Sequence, residues 1–228
     1  MLKLVAFEEC LRSVLAADSA AMNRKVAKRC NVYTAGSRDD QIYFITAGQV
    51  KVITQSPEGK ECLLAIYTDG DFFGECGLSG VLRSETAIAM SDTVLKQVTG
   101  ARFLALVAET GLVREFVRYL TMRLAEQQQL ITNLATVDCE YRLAVTLLRL
   151  SRKLGACELH GLTPKISHQE LSQMVGTTRP RVSEFMHRFR DRGLIDMTPD
   201  SRILVRERRL EEYLETRGLK PGLNAVAS

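Results

Sequence analysis

From about residue 28 to residue 100, apolar positions fall in short runs broken by turn residues; beyond residue 111 they recur at helical spacing. Gln41-Ile-Tyr-Phe-Ile-Thr46 and Gln49-Val-Lys-Val-Ile-Thr54 are rich in β-branched and aromatic residues, and Ala47-Gly48 between them predicts a hairpin. Ser56-Pro-Glu-Gly59 is a turn signal, Glu61-Cys-Leu-Leu-Ala-Ile-Tyr67 a further strand, and Asp69-Gly70 the next turn. Short strands punctuated by glycine predict a closed or rolled antiparallel β-domain.

From Gly111 to about Thr136 the chain holds no proline and no internal glycine. Val113, Val117, Leu120, Leu124, Gln127, Ile131 and Leu134 fall at alternating gaps of four and three, a heptad seam. A helix of this length spans about 39 Å, too long for one small core to cover. It either lies on its own β-domain or pairs with a second copy as a two-stranded coiled coil; the regular spacing favours the pair. The polar seam residue Gln127, followed by Gln128 and Gln129, costs stability and so points to register or function. Asp138 predicts the cap of a further helix running from Cys139 to about Leu154.

Ser167-His-Gln-Glu170 reads as a capping box opening a short helix, with Leu171, Met174 and Val175 on its apolar side and Gly176 at its end. Thr177-Thr178 predicts the cap of a second helix, and Pro180 falls in its first turn, where a missing N–H does little harm. Val182, Phe185, Met186 and Phe189 share one face of that helix, and Gly193 stops it. Two helices on a tight glycine turn predict a helix-turn-helix whose second helix meets base edges through its N-terminal residues. Leu194 to Met197, the turn Thr198-Pro-Asp-Ser201, and Arg202 to Arg206 read as a β-hairpin wing. The candidate DNA-binding residues are Ser167, Thr177, Thr178, Arg179, Arg181, Ser183, Glu184, Arg188 and Arg202. Arg forks onto guanine, Glu accepts from cytosine N4, and Arg202 and Arg206 can reach phosphates. The competing reading is an ordinary helical hairpin with a solvated basic face.

Charge placement supports the first reading. The formal net charge is +4, and residues 165–209 carry ten Lys/Arg against six Asp/Glu, a balance of +4. A polyanion-facing segment is thus joined to a nearly neutral one. No apolar run reaches the ~20 residues of a membrane span, and no signal-peptide pattern opens the chain, so a cytoplasmic protein with no membrane partner is expected. The six cysteines (Cys10, Cys30, Cys62, Cys76, Cys139, Cys157) form no C-x-x-C pair, so reduced structural thiols and no metal site are expected. No nucleophile–base pair, paired metal carboxylates or Walker sequence supports an enzyme.

The stretch from Lys165-Ile-Ser-His-Gln-Glu170 through Gly176-Thr-Thr-Arg-Pro-Arg-Val-Ser183 to Gly193-Leu-Ile195 closely resembles the DNA-binding domain of the bacterial cyclic-AMP receptor protein/FNR (CRP/FNR) family. Tyr43-Phe-Ile-Thr-Ala-Gly-Gln-Val-Lys-Val52 resembles that family's β-roll. Gly70-Asp-Phe-Phe-Gly-Glu75 with Arg83-Ser84 resembles its phosphate-binding cassette. The resemblance implies an α+β fold with an N-terminal cyclic-nucleotide-binding-type β-roll, a long dimerisation helix and a C-terminal winged helix-turn-helix. The implied division is 1–110 sensory, 111–137 dimerisation helix, 138–217 DNA-binding and 218–228 flexible tail. It further implies a homodimer on double-stranded DNA of two-fold symmetry, contact with RNA polymerase, and an effector in the roll.

By position, Glu75 would accept from a ribose hydroxyl, and Arg83, Ser84 and the N–H groups of Gly74 and Cys76 would hold a cyclic phosphate. Gln127 and Gln128 would meet the base. Cyclic AMP, cyclic GMP and a cyclic dinucleotide are the candidate effectors. Glu85 departs from the family pattern by placing a second carboxylate beside that phosphate, and the cassette between Glu75 and Arg83 is short. Arg83 could instead pair with Glu85 or Glu75, and the roll would then serve as a dimerisation and polymerase-contact scaffold without an effector.

Overall fold

The computed structural model describes residues 2–154 and 161–216. Cys157 and the tail 218–228 lie outside the described residues. The chain divides into two compact units, Met1–Arg123 and Leu124–Ser228.

The first unit is built on two four-stranded antiparallel sheets. One has the order β1 (Met22–Val26), β8 (Thr93–Thr99), β3 (Gln41–Ala47), β6 (Phe72–Phe73). The other runs β2 (Asn31–Tyr33), β7 (Thr86–Ala89), β4 (Gln49–Gln55), β5 (Glu61–Thr68). Strand β3 shows why the roll closes. Its odd residues Tyr43 and Ile45 enter the roll interior with Tyr33, Val50, Tyr67, Phe73 and Leu95. Its even residues Ile42 and Phe44 enter a second core with Phe72, Val98 and Phe103. Side chains alternate across a strand, so an unbroken apolar run is a strand covered on both faces. At the β3–β4 turn Gly48 has φ +106°, and a Cβ there would lie 2.5 Å from Thr93 Oγ1 and 2.8 Å from the Asp92 carbonyl. Only glycine fits.

The second core is roofed by helices. Helix α1 (Leu2–Ala17) supplies Phe7, Leu11 and Leu15, and α2 (Gly100–Glu109) supplies Phe103, Leu106 and Val107. The strands begin at Met22, ahead of the expected residue 28, and α1 was not foreseen. Lys96 Nζ donates to the Leu15 carbonyl at 2.9 Å, and Arg102 bonds Asp18 at 3.2 Å, which pins the end of α1 to β8 and α2.

Helix α3 (Val113–Thr136) matches the predicted long helix. Phe116 and Tyr119 are buried in the roofed core. The seam residues Val113, Val117, Leu120, Leu124, Ile131 and Leu134 are all exposed, between 38% and 67%. The helix therefore both lies on its own β-domain at one end and leaves the heptad face uncovered.

In the second unit, Asp138 Oδ1 accepts from the Tyr141 N–H at 2.8 Å and starts α4 (Cys139–Leu154), as expected. Helices α5 (His168–Val175) and α6 (Arg179–Asp191), the hairpin β9 (Ile195–Met197) with β10 (Ile203–Val205), and α7 (Glu207–Thr216) complete it. Helix α4 contacts α5, α6 and α7, and Leu143, Leu147, Leu171, Val175, Val182, Phe185, Phe189, Leu210 and Leu214 on these helices are all buried. Among the described residues no helix is long and apolar enough to cross a membrane.

Candidate nucleic-acid interface and effector site

The helix-turn-helix forms as its residues require. Ser167 Oγ accepts from the Glu170 N–H at 3.2 Å, and Glu170 Oε2 accepts from the Ser167 N–H at 3.0 Å, a complete capping box. Ser167 is thus committed to the cap through its side chain. Gly176 takes φ +69° and ends α5 through a bond to the Ser172 carbonyl. Thr178 is the N-cap of α6, but its side chain makes no capping bond; the expected threonine cap is corrected in that respect. The helix enters instead through the restricted backbone of Pro180 and a bond from the Val182 N–H to the Thr178 carbonyl at 3.1 Å.

The first turns of α6 present Thr178, Arg179, Arg181 and Glu184 to solvent, with Thr177 and Ser183 half-buried beside them. Arg179 and Arg181 are thus exposed cations at the positive end of a helix. Arg188 is placed differently. Its guanidinium pairs with Glu140 of α4 at 3.2 Å and lies 4.9 Å over the Phe185 ring. Glu140 is itself buried and accepts from the Tyr213 hydroxyl at 2.8 Å. In the wing, Arg202 pairs with Asp200 at 2.8 Å and Arg206 with Asp196 at 3.4 Å. These partners were not foreseen, because each pair forms only once the hairpin or helix packing exists.

The roll brings Gly74, Glu75, Cys76, Arg83, Ser84 and Glu85 together, and adds partners the sequence did not reveal. Arg83 is 2% exposed. Its Nη1 donates to the Gly74 carbonyl and its Nη2 to the Gln41 carbonyl, both at 2.6 Å. Its ion-pair partner is Asp39 at 3.4 Å, in place of the expected alternatives Glu75 or Glu85. The guanidinium stacks 4.2 Å over Tyr33. A Cβ on Gly77 would lie 2.8 Å from Arg83 Cζ, so this glycine makes room for the arginine. Arg83 Nε is buried and has no hydrogen-bond partner.

Glu85 is buried, accepts from Tyr33 OH at 3.2 Å and from Ser84 Oγ at 2.5 Å. Arg123, from α3, donates to Tyr67 OH at 2.6 Å and lies 3.8 Å from Glu75. Burial, followed by the neighbouring Glu85, pushes the Tyr33 phenol well above its ordinary pKa. Cys76 meets solvent over much of its surface, yet desolvation of its thiol and then Glu85 and Glu75 raise its pKa, so it is a poor thiolate. Cys10, Cys30 and Cys62 are exposed and Cys139 is buried, so free thiols at the surface outnumber buried ones among the described residues. No three His, Cys, Asp or Glu among the described residues gather as metal ligands.

The cassette therefore fits an anion in part. A buried arginine with an unmet N–H, flanked by glycines, can receive an anionic oxygen. Ser84 already donates to Glu85, whose carboxylate would face that anion. Gln127 and Gln128 are exposed residues of α3 and fall in the second unit.

A two-sheet roll followed by a helix-turn-helix with a hairpin wing is the architecture of a DNA-binding transcription regulator with a cyclic nucleotide-binding-type domain. Residues 23–110 match the cyclic nucleotide-binding domain model, and residues 141–213 match the Crp-like helix-turn-helix domain. The chain is 32% identical over 176 residues to the cAMP-activated global transcriptional regulator CRP of Pasteurella multocida (strain Pm70), covering 75% of this chain and 84% of the relative. Its fold is similar to that of a CooA variant from Carboxydothermus hydrogenoformans, with TM-score 0.71 and 23% identity over 89% of this chain and 94% of that one. It is also similar to TTHA1359, a CRP/FNR-family transcriptional regulator from Thermus thermophilus, with TM-score 0.64 and 25% identity over 86% and 100% of the two chains. The chain belongs to the CRP/FNR family of transcription regulators; its relatives are regulators and not enzymes.

Proposed function

We propose that two copies of this chain pair along Val113, Val117, Leu120, Leu124, Gln127, Ile131 and Leu134, and set their α6 helices into the two half-sites of a symmetric operator in double-stranded DNA. The observation that carries the DNA contact is the exposed, basic first turn of α6. Arg179, Arg181, Ser183 and Glu184 would read base edges, and Thr177, Thr178 and Arg202 would take phosphates. The backbone around Ser167 would stand at the groove edge. Arg188 is better employed in holding α6 to α4. The domains would work as residues 1–110, 111–137 and 138–217, in the cytoplasm, with RNA polymerase as the partner that reads out DNA occupancy.

We further propose that the roll responds to a cyclic nucleotide. Arg83 Nε, buried and unmet, supports an anion-binding role. The likeness to cAMP-activated regulators makes cyclic AMP the first effector to test, ahead of cyclic GMP and a cyclic dinucleotide. Glu75 would accept from the ribose, Gly74 and Cys76 would offer N–H groups, and Gln127 and Gln128 would meet the base. One observation favours a second reading. Glu85 already takes the Ser84 hydroxyl, as a phosphate oxygen would, which suits a regulator that binds DNA without an effector.

Selection of sites from random duplexes, followed by affinity measurements with and without each cyclic nucleotide, tests both readings. A palindromic site bound more tightly with one nucleotide supports the gated reading. A palindromic site bound equally under all conditions supports the second, and no preferred sequence would refute both.

A further inference from the structure

A serine or threonine inside a helix can return its hydroxyl proton to the carbonyl one turn earlier. In α3, Thr121 bonds Val117 at 2.9 Å, Thr132 bonds Gln128 at 3.0 Å and Thr136 bonds Thr132 at 2.7 Å. Ser183 of α6 makes no such bond; its hydroxyl lies 2.8 Å from Nδ1 of His168, the first residue of α5. Both residues are half-buried, and Ser183 stands between the exposed Arg179, Arg181 and Glu184.

From this geometry we infer that His168 is a positioning residue that fixes the hydrogen-bonding polarity of Ser183, and so selects the base that Ser183 reads. This rests on the proposed placement of α6 in the major groove. A hydroxyl has one proton and two lone pairs. If that proton goes to a neutral Nδ1, Ser183 faces the groove only as an acceptor. An acceptor pairs with an exocyclic amino group, adenine N6 or cytosine N4, and is repelled by guanine O6 and thymine O4. If Nδ1 carries a proton instead, Ser183 accepts from the imidazole through one lone pair, its own proton turns outward, and guanine O6 and thymine O4 become acceptable partners.

The surroundings hold His168 in the neutral form. Partial burial lowers its pKa, and the charges that face it from α6, Arg179 and then His187, lower it further. Two further charged groups, one on α5 and one on the packed α4, are engaged elsewhere. Arg142 of α4 donates to the Val175 carbonyl at the other end of α5. Glu170, on the first turn of α5, closes the capping box. With the neutral ring's proton on Nε2, Nδ1 is the acceptor and Ser183 meets the groove as an acceptor; acid adds a proton to Nδ1 and reveals the other state.

The test uses the full chain and its selected operator, with every base substituted in turn at pH 8 and pH 5. At pH 8 an amino-bearing base should be preferred at one position by about fivefold, the scale of a single neutral hydrogen bond. Ser183→Ala should flatten that position alone. His168→Ala should flatten the same position, and the double variant should lose no more than either single one. His168→Gln, which keeps an acceptor, should keep the preference and lose its pH dependence. The wild type should shift toward guanine or thymine at pH 5, and ¹⁵N spectra should show Nδ1 unprotonated at pH 8.

If His168→Ala and His168→Gln weaken binding equally for every base, the histidine only supports the fold and the inference is overturned. Should Ser183→Ala leave every position unchanged while Arg179→Ala and Arg181→Ala do not, the helix is in the groove but Ser183 is not reading. If none of the three changes any position, the placement of α6 itself fails.

Discussion

Replacing Leu124 with alanine should weaken self-association while leaving the protomer folded. Leu124 sits at the middle of the seam and is 60% exposed in the single chain. Burying a whole leucine side chain contributes about 1.5–3 kcal/mol, so covering the exposed 60% contributes about 0.9–1.8 kcal/mol. A two-fold pair contains the residue twice, which doubles the loss to about 1.8–3.6 kcal/mol. At 1.4 kcal/mol for each factor of ten, the dimer Kd should rise about 20- to 400-fold. Alanine is the better helix former, so the change does not unwind α3. Sedimentation equilibrium over a range of concentrations measures the shift. The contrasting variant is Tyr119→Ala, five residues earlier in the helix and 4% exposed, where the side chain belongs to the roofed core. It should cost about 3–5 kcal/mol of folding stability, the scale of a large-to-small aromatic change. A Leu124→Ala protein that dimerises as tightly as the wild type would refute the seam as the interface, whatever the DNA data show.

Gly77→Ala forces a Cβ to within 2.8 Å of Arg83 Cζ, so the arginine must move; calorimetry should show loss of cyclic nucleotide binding, and chemical unfolding a cost of about 1–3 kcal/mol. Ser167→Ala removes one half of the capping box and should cost about 0.5–2 kcal/mol in urea unfolding, with weaker operator binding as α5 frays. Asp18, held below the ordinary carboxylate range by its hydrogen bond from Arg102, carries stability that is full above its unfolded pKa of about 3.9 and lost as pH falls through the lower folded value. Urea midpoints between pH 2 and pH 6 should therefore fall less steeply in Asp18→Asn. If Arg202 reaches a phosphate, Arg202→Ala should reduce the salt slope of operator binding by about 0.9, and an unchanged slope would confine it to its pair with Asp200.

The elements read most accurately from sequence were those whose signals are local. The β3–β4 hairpin announces itself through two β-branched runs and one glycine, and the structure sets those strands at Gln41–Ala47 and Gln49–Gln55. The capping box of α5 is likewise contained in four residues. Helix α1 went unread although Phe7, Leu11 and Leu15 repeat every four residues, a pattern that was available. Helix α7 is short and dominated by charge, with Leu210 and Leu214 alone buried, so its periodicity is thin. Asp39 could not be found by motif. It meets Arg83 across 44 residues of chain, and only the closed roll brings them together.

Sequence position was a poor guide to what each cation in α6 does. Arg179, Arg181 and Arg188 all belong to α6 and all suit DNA by residue type. The structure separates them by what lies opposite. Arg179 and Arg181 meet solvent in the first turn, while Arg188 faces Glu140, which is buried and bonded to Tyr213. A buried carboxylate left without its cation is costly, so α4 requires Arg188 in place more than a phosphate would. The same reasoning applies in the roll, where Glu85 has Tyr33 and Ser84 as donors before any ligand arrives. In both units the decisive residue is a buried glutamate whose demand for partners fixes a neighbouring side chain, and a ligand or a DNA site must be matched to the donors that remain.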